Sequence, residues 1–364
     1  MPHPTPIRPR LDLIEIGDGR RLRLLDLLGR GSSSSIHRAV LESPTGVRRL
    51  VAVKLFGSVS SDEDEEASAD AVRMATRAAS IRHANVVGVY DYGKWGTQPY
   101  FVTELVEGVN LQTLIDRYAE RSLRLPLDLA LFIASEVGEA LSGARTARDE
   151  RGMQLGMLHL ALGPRKILLG WRGEVKVADF EISVAAIASS SIRNLKLVAH
   201  RTATMAPEVA RGEGGDSRSD VFSFGVVLRE LFVGPRFGRI VKNSEAIELA
   251  REGFVQPMSF QPHLPDALML VMLRALRIDP AERYPNASAM AFDLRRIALS
   301  MGVGDGRIFL RRALDREFGN DAEVTAERLY SSAPPAQGAP SVVLANDLLE
   351  LAALDALPTI ADND

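Results

Sequence analysis

No cysteine occurs in the 364 residues, which excludes disulfide bridges and thiolate metal sites. The six histidines are scattered and none has the paired spacing of a helical zinc site, so no metal-ligating constellation is expected. No apolar run approaches the length needed to cross a bilayer. The opening stretch MPHPTPIRPRLDLIEIGDGR also lacks the uninterrupted apolar core of a secretion signal. The chain is therefore expected to be soluble and cytoplasmic, without a membrane partner. An excess of one charge is missing too: 44 Lys and Arg against 47 Asp and Glu leave −3 at neutral pH, which argues against a generally basic surface for nucleic acid.

What is present suits a large folded unit. A hydrophobic fraction of 46% with 25% charged residues can bury a sizeable core. After a polar, proline-containing start, residues 21 to 56 read as strands: RLRLLDLLGRG, SIHRAV, a turn at Ser43 to Gly46, then RRLVAVKLF. The acidic stretch SSDEDEE precedes ASADAVRMATRAASI, whose alanines and periodic apolar positions suit a helix with acids at its positive end. Strands return in VVGVYDYG and PYFVTELV, and from about residue 126 the helical period dominates. Near the end, SSAPPAQGAP reads as a linker and NDLLELAALDAL as a short helix. There is no internal repeat.

Eight strings fall in an order that carries more information than any one of them: GRGSSSSI, VAVK, PYFVTELVEG, HLALGPRKILL, EVKVADFEIS, MAPE, SRSDVFSFGVVLREL and RIDPAERYP. In order and approximate spacing they resemble the bacterial serine/threonine protein kinase family over about residues 20 to 300. The resemblance implies an α+β, two-lobed fold: a small antiparallel-sheet N-lobe with one helix over about 21–106, and a larger helical C-lobe over about 107–300. Residues 1–20 are then an N-terminal extension, 301–330 a C-terminal helical extension, and 331–364 a linker and tail.

Compared with the family residue by residue, the chemistry is eroded. In the family a glycine-rich hairpin lets backbone amides approach the phosphates. Gly29 and Gly31 match it, but Ser34 stands at the third glycine. Lys54 matches the lysine that reaches the phosphates, while Met74 takes the place of the helix carboxylate that holds it, and methionine cannot bind an ammonium. Asp70, one turn earlier, is an alternative partner. In the catalytic loop His159 remains, Leu160 replaces the arginine, Ala161 replaces the aspartate that accepts the substrate hydroxyl proton, and Lys166 replaces the asparagine that helps hold magnesium. A methyl accepts no proton and an ammonium repels a cation. Asp179 and Phe180 match the next motif, with Glu181 in place of its glycine. Asp179 is either a magnesium ligand or the salt-bridge partner that Lys54 needs.

The scaffold positions are kept. Glu208 and Arg283 match the pair that ties the activation segment to the large lobe. Asp220 matches the aspartate that anchors the catalytic-loop backbone. Ala78, Val89, His159 and Phe180 fall where the family stacks a spine between lobes. Ile36, Ala52 and Leu168 would sandwich an adenine ring, with the backbone of Glu104 to Val106 as its hydrogen-bonding edge; the same residues also suit ordinary core. The serines at 189–191 lie in a long polar segment before Arg201 and Thr204, without the usual substrate-positioning tyrosine.

The expectation is a pseudokinase: a regulatory or scaffold module that binds a protein partner, an active kinase or its substrate. It would need no cofactor or metal and take at most an adenine nucleotide without magnesium. The alternative is an atypical active kinase that uses Asp70, Asp179 or Glu181 in compensating roles, and a fold remnant with no ligand is a third reading.

Overall fold

The computed structural model describes residues 13–30, 34–57, 73, 75–180, 202–237, 243–258 and 263–330. Gly31, Asp70, Met74, Glu181, the serines at 189–191, Arg201 and the tail 331–364 lie outside the described residues.

Six strands form the first sheet: β1 (Leu13–Ile16), β2 (Arg20–Arg30), β3 (Ser34–Glu42), β4 (Arg48–Phe56), β5 (Val89–Trp95) and β6 (Gln98–Glu104). They pair antiparallel in the order β1-β2-β3-β4-β6-β5. Period-two alternation produces this layer. Val51, Val53 and Leu55 of β4 turn into a core with Ile14, Ile16, Leu22, Leu24 and Val102. The β3–β4 turn closes where the sequence places it, with the Gly46 amide donating to Ser43 O at 3.0 Å. β1 lies inside the stretch read as an N-terminal extension, yet Ile14 and Ile16 are core residues of the lobe. Its four-residue apolar alternation is short and easily missed beside the polar residues around it. A helical segment at 75–79 buries Ala75 and Ala78.

The helical lobe contains α1 (Leu111–Glu120), α2 (Leu127–Thr146), α3 (Pro207–Ala210), α4 (Ser217–Phe232), α5 (Asn243–Glu252), α6 (Asp266–Ala275), α7 (Ala287–Ser300) and α8 (Gly306–Tyr330). A second, three-stranded sheet is made of β7 (Gly108–Asn110), β8 (Ile167–Gly170) and β9 (Val175–Val177). Side-chain caps set the helix starts. Asn110 accepts from Thr113 N–H at 2.9 Å to begin α1, Asn286 accepts from Ala289 N–H at 3.0 Å to begin α7, and Asp216 forms a capping box on α4. α4 is buried on nearly every side and runs through the lobe's core, with the polar Ser219, Asp220, Ser223 and Arg229 buried alongside its apolar residues.

The two lobes are joined by backbone at the place that matters for chemistry. Val177 N–H donates to Asn85 O at 2.7 Å and Val87 N–H donates to Val177 O at 2.9 Å, so the loop entering β5 is stitched to β9. The Asn85 side chain adds bonds to Glu136 at 2.7 Å and to Val175 O at 3.0 Å. Residues 178–180, which follow β9, therefore emerge at a fixed point between the lobes.

Beyond α7, α8 packs back on the lobe through Leu310, Leu314 and Phe318, with Phe318 set 6.2 Å from the Trp171 ring. Gly173 (φ 85°) allows the β8–β9 turn to meet its first turn, because a Cβ there would run into Arg307 O. Non-helical dihedrals at Phe318 kink α8.

Candidate active site

The loop from His159 to Lys166 has no regular ladder, so its backbone groups find partners elsewhere. Asp220, in the first turn of α4, accepts from His159 N–H at 2.9 Å and from Leu160 N–H at 2.7 Å. Burial pushes its carboxyl up to about 6, against the lowering effect of those two donors. Leu160 has φ 57°, a left-handed value that costs a side-chain-bearing residue about 1–3 kcal/mol and persists where the surroundings hold it. Asp220 is that restraint.

His159 Nε2 lies 3.0 Å from Ala178 O, and because a carbonyl can only accept, the proton sits on Nε2. Nδ1 then accepts from Ala161 N–H at 3.4 Å. The imidazole packs edge-on to Phe180 with centroids 4.9 Å apart. Ala78, Val89, His159 and Phe180 are all buried, and the three apolar members belong to one core cluster. His159 is thus engaged as a structural residue. Ala161, where the family has its base, is buried and offers a methyl group.

The centre of the site is Asp179. Lys54 Nζ meets its Oδ1 at 2.8 Å, and Lys166 Nζ meets its Oδ2 in a short ion pair. Lys54 arrives from β4, opposite Ile36 on one side and Phe101 on the other. Lys166 closes the 3-10 turn Pro164–Lys166, and Ala178 N–H donates to its carbonyl at 2.9 Å, which places position 166 beside position 179. Asp179 has φ 71°, a second strained residue, held by two ammonium groups. The sequence places two cations, Lys54 and Lys166, at the phosphate end with Asp179; what it does not specify is that both ammonium groups bond the one carboxylate.

These residues do not fit magnesium. A hard cation needs oxygen donors; both Asp179 oxygens carry ammonium protons, and position 166 supplies a cation in place of an amide oxygen.

Near this cluster, Ile36, Ala52, Glu104, Val106 and Leu168 are all half-buried and come from β3, β4, the end of β6, the segment that follows it and β8. Their registers bring Ala52 opposite Thr103, and Leu168 opposite Lys176. The Glu104 carboxylate is drawn toward β9 by Lys176 at 2.9 Å and Gly88 N–H at 3.2 Å, an interaction the sequence reading did not include. Gly29 is opposite Ile36.

Below it, Arg283 holds Glu208 through two bonds of 2.8 and 2.9 Å, and Ser219 Oγ adds a third at 2.7 Å. Burial pushes the Glu208 carboxyl up, but these donors outweigh it and hold it below its ordinary value. Arg236 was also missed. It is almost fully buried, donates to the carbonyls of Phe254 (2.7 Å) and Met205 (2.8 Å), and stacks 4.7 Å from the Phe222 ring. Burial pulls its pKa down to about 9. Nothing in its local string GPRFG marks an arginine as interior.

The profile for protein tyrosine and serine/threonine kinases matches residues 22–294. Similar proteins include the serine/threonine-protein kinase PksC of Streptomyces coelicolor, 33% identical over 290 residues, which are 78% of this chain and 50% of that protein. The serine/threonine-protein kinase PknB of Mycobacterium leprae is 32% identical over 76% of this chain and 43% of its own. The tyrosine-protein kinase MasK of Myxococcus xanthus is 29% identical over 84% and 47%. The chain spans about half the length of these relatives.

Proposed function

We propose that this chain, which belongs to the protein tyrosine and serine/threonine kinase family over residues 22–294, acts by binding and does not transfer phosphoryl groups. The observation that carries this reading is the ion triad at Asp179. In the family that aspartate presents oxygen to magnesium; here Lys54 and Lys166 engage both of its oxygens. The buried Ala161 methyl removes the proton acceptor at the same site. Phosphoryl transfer depends almost entirely on positioned charge and metal, so losing both the metal donors and the base removes most of the rate enhancement.

In this reading the cleft takes an adenine nucleotide weakly and without metal, through Ile36, Ala52 and Leu168, and the surviving scaffold presents a surface to a protein partner. Retention of the Glu208–Arg283 pair and of Asp220 supports it, because these keep the large lobe's loops ordered whether or not chemistry occurs. An active kinase or a kinase substrate is the expected class of partner.

A second reading has its own support: the relatives carry the names of serine/threonine and tyrosine protein kinases, which favours an atypical active enzyme. One experiment separates the two. The chain is incubated with labelled ATP, magnesium or manganese and a generic protein acceptor. We expect no incorporation above that of a Lys54→Met control; robust, Lys54-dependent transfer overturns the proposal in favour of the enzyme.

A further inference from the structure

The exposed corner between α7 and α8 combines apolar and cationic side chains in a way that the lobe's interior does not require. Phe292 and Leu299 lie two turns apart on α7 and are 58% and 77% exposed; Met301, just after α7, and Ile308, in the first turn of α8, are exposed as well. Interleaved with them are Arg295, Arg296, Arg307, Arg311 and Arg312. Three of these have acidic neighbours: Arg295 with Glu139, Arg296 with Asp293, and Arg311 with Asp315. Arg307 and Arg312 have no carboxylate partner among the described residues.

The chain beyond Tyr330 has the complementary composition. Residues 331–364 contain Asp347, Glu350, Asp355, Asp362 and Asp364 and no lysine or arginine, and Leu348, Leu351, Ala352 and Leu354 recur at helical spacing. An isolated helix of this length is marginal in water and needs a surface to stabilise it. We propose that the segment 347–355 docks on the α7–α8 corner of the same chain, with its leucines on Phe292, Leu299 and Ile308 and its carboxylates facing Arg307 and Arg312.

Reach permits this. The 16 residues from Ser331 to Asn346 extend to at most about 53 Å, whereas the 25-residue α8 is about 37 Å long even if straight, so the segment can return along its full length. The competing apolar patch, Leu270 and Leu273 on α6 with Ile278 beside it, is less suited. Both of its arginines are engaged, Arg274 over Tyr284 at 4.2 Å and Arg277 with Glu282 at 3.8 Å, whereas the α7–α8 corner keeps Arg307 and Arg312 without a carboxylate partner among the described residues.

Hydrogen exchange on the full chain tests the proposal. A tether of this length sets an effective concentration of about a millimolar, so an intrinsic dissociation constant of about 0.1 mM slows exchange roughly tenfold. We expect that protection in amides 347–355. It should be lost in Leu299→Glu, in Arg312→Glu and in Leu351→Lys, and retained in Leu270→Glu. Amides of α4 report whether each variant stays folded, and the arginine substitution serves should Leu299→Glu disturb α7. Unprotected tail amides in the wild type overturn the proposal. So does protection that rises with protein concentration, which would place the tail on a second copy, or protection that survives both Leu299→Glu and Arg312→Glu.

Discussion

Replacing Lys166 by asparagine restores the family's residue at one corner of the ion triad, and its effect follows from the geometry. In the native chain a divalent ion approaching Asp179 meets the Lys166 ammonium on one carboxylate oxygen and the Lys54 ammonium on the other. At about 5 Å a double and a single positive charge repel by about 6.6 kcal/mol at an effective dielectric of 20, and by about 1.7 kcal/mol in bulk water. The Lys166 side chain is 26% exposed, so the repulsion lies toward the aqueous end, about 2–3 kcal/mol, or roughly 30- to 150-fold in magnesium affinity. Lys166→Asn also releases one Asp179 oxygen as a donor. The assay is thermal shift and calorimetry with ATP, ADP and adenosine, each in magnesium and in chelator. The wild type should show small, similar shifts in every condition. The variant should gain an ATP response that needs magnesium, approaching about 2.7 kcal/mol when ligand reaches about 100 times its dissociation constant. A large magnesium-dependent ATP shift in the wild type, or none in Lys166→Asn, would refute the electrostatic account.

Other outcomes follow from the same geometry. Ala161→Asp alone should leave phosphoryl transfer undetectable, because a general base supplies about 10²- to 10⁴-fold only where its partner groups are in place; activity in that single variant on a peptide acceptor would show that the metal site is not lost. Removing Asp220 as Asp220→Ala leaves two buried N–H groups without acceptors and releases the strained Leu160, which should cost about 2–4 kcal/mol in urea unfolding; a change below about 0.5 kcal/mol would mean the loop is held by something else. Glu208→Gln breaks the carboxylate bound by Arg283 and should cost about 3–5 kcal/mol. Because the native Glu208 carboxyl is held below its ordinary value, its stabilisation is fully present above about 4.5 and is lost as pH falls through the native value, so the variant should unfold with a shallower acid limb; an unchanged limb would count against the pair. Asp220 acts oppositely: its carboxyl is raised to about 6, so between about 4 and 6 its contribution falls as pH rises.

Much of the architecture was legible in the sequence because it rests on local rules. Alternating apolar residues in RRLVAVKLF can face a core only as a strand, and the Ser43–Gly46 turn carries its own turn residues; the caps Asn110, Asp216 and Asn286 are local too, but it was the structure that identified them. The substitutions at 161 and 166 were legible for a similar reason: in a recognised motif, the chemistry a side chain cannot perform is readable from its identity. Which charges meet was legible only in part. The Lys54–Asp179 pair was one of two readings of Asp179, and the fold forms it across 125 positions; it also brings Lys166 to the same carboxylate, where Ala178 N–H bonds its carbonyl. Arg236 looks like a surface residue until the segments around Met205 and Phe254 close over it. α8 reads as an appendage until Gly173, Trp171 and Phe318 show it seated on the lobe. A residue type and its near neighbours set backbone preference and hydrogen-bonding capacity. The strength of a charge depends on its distance to other charges and on the water removed from around it, and folding alone decides both.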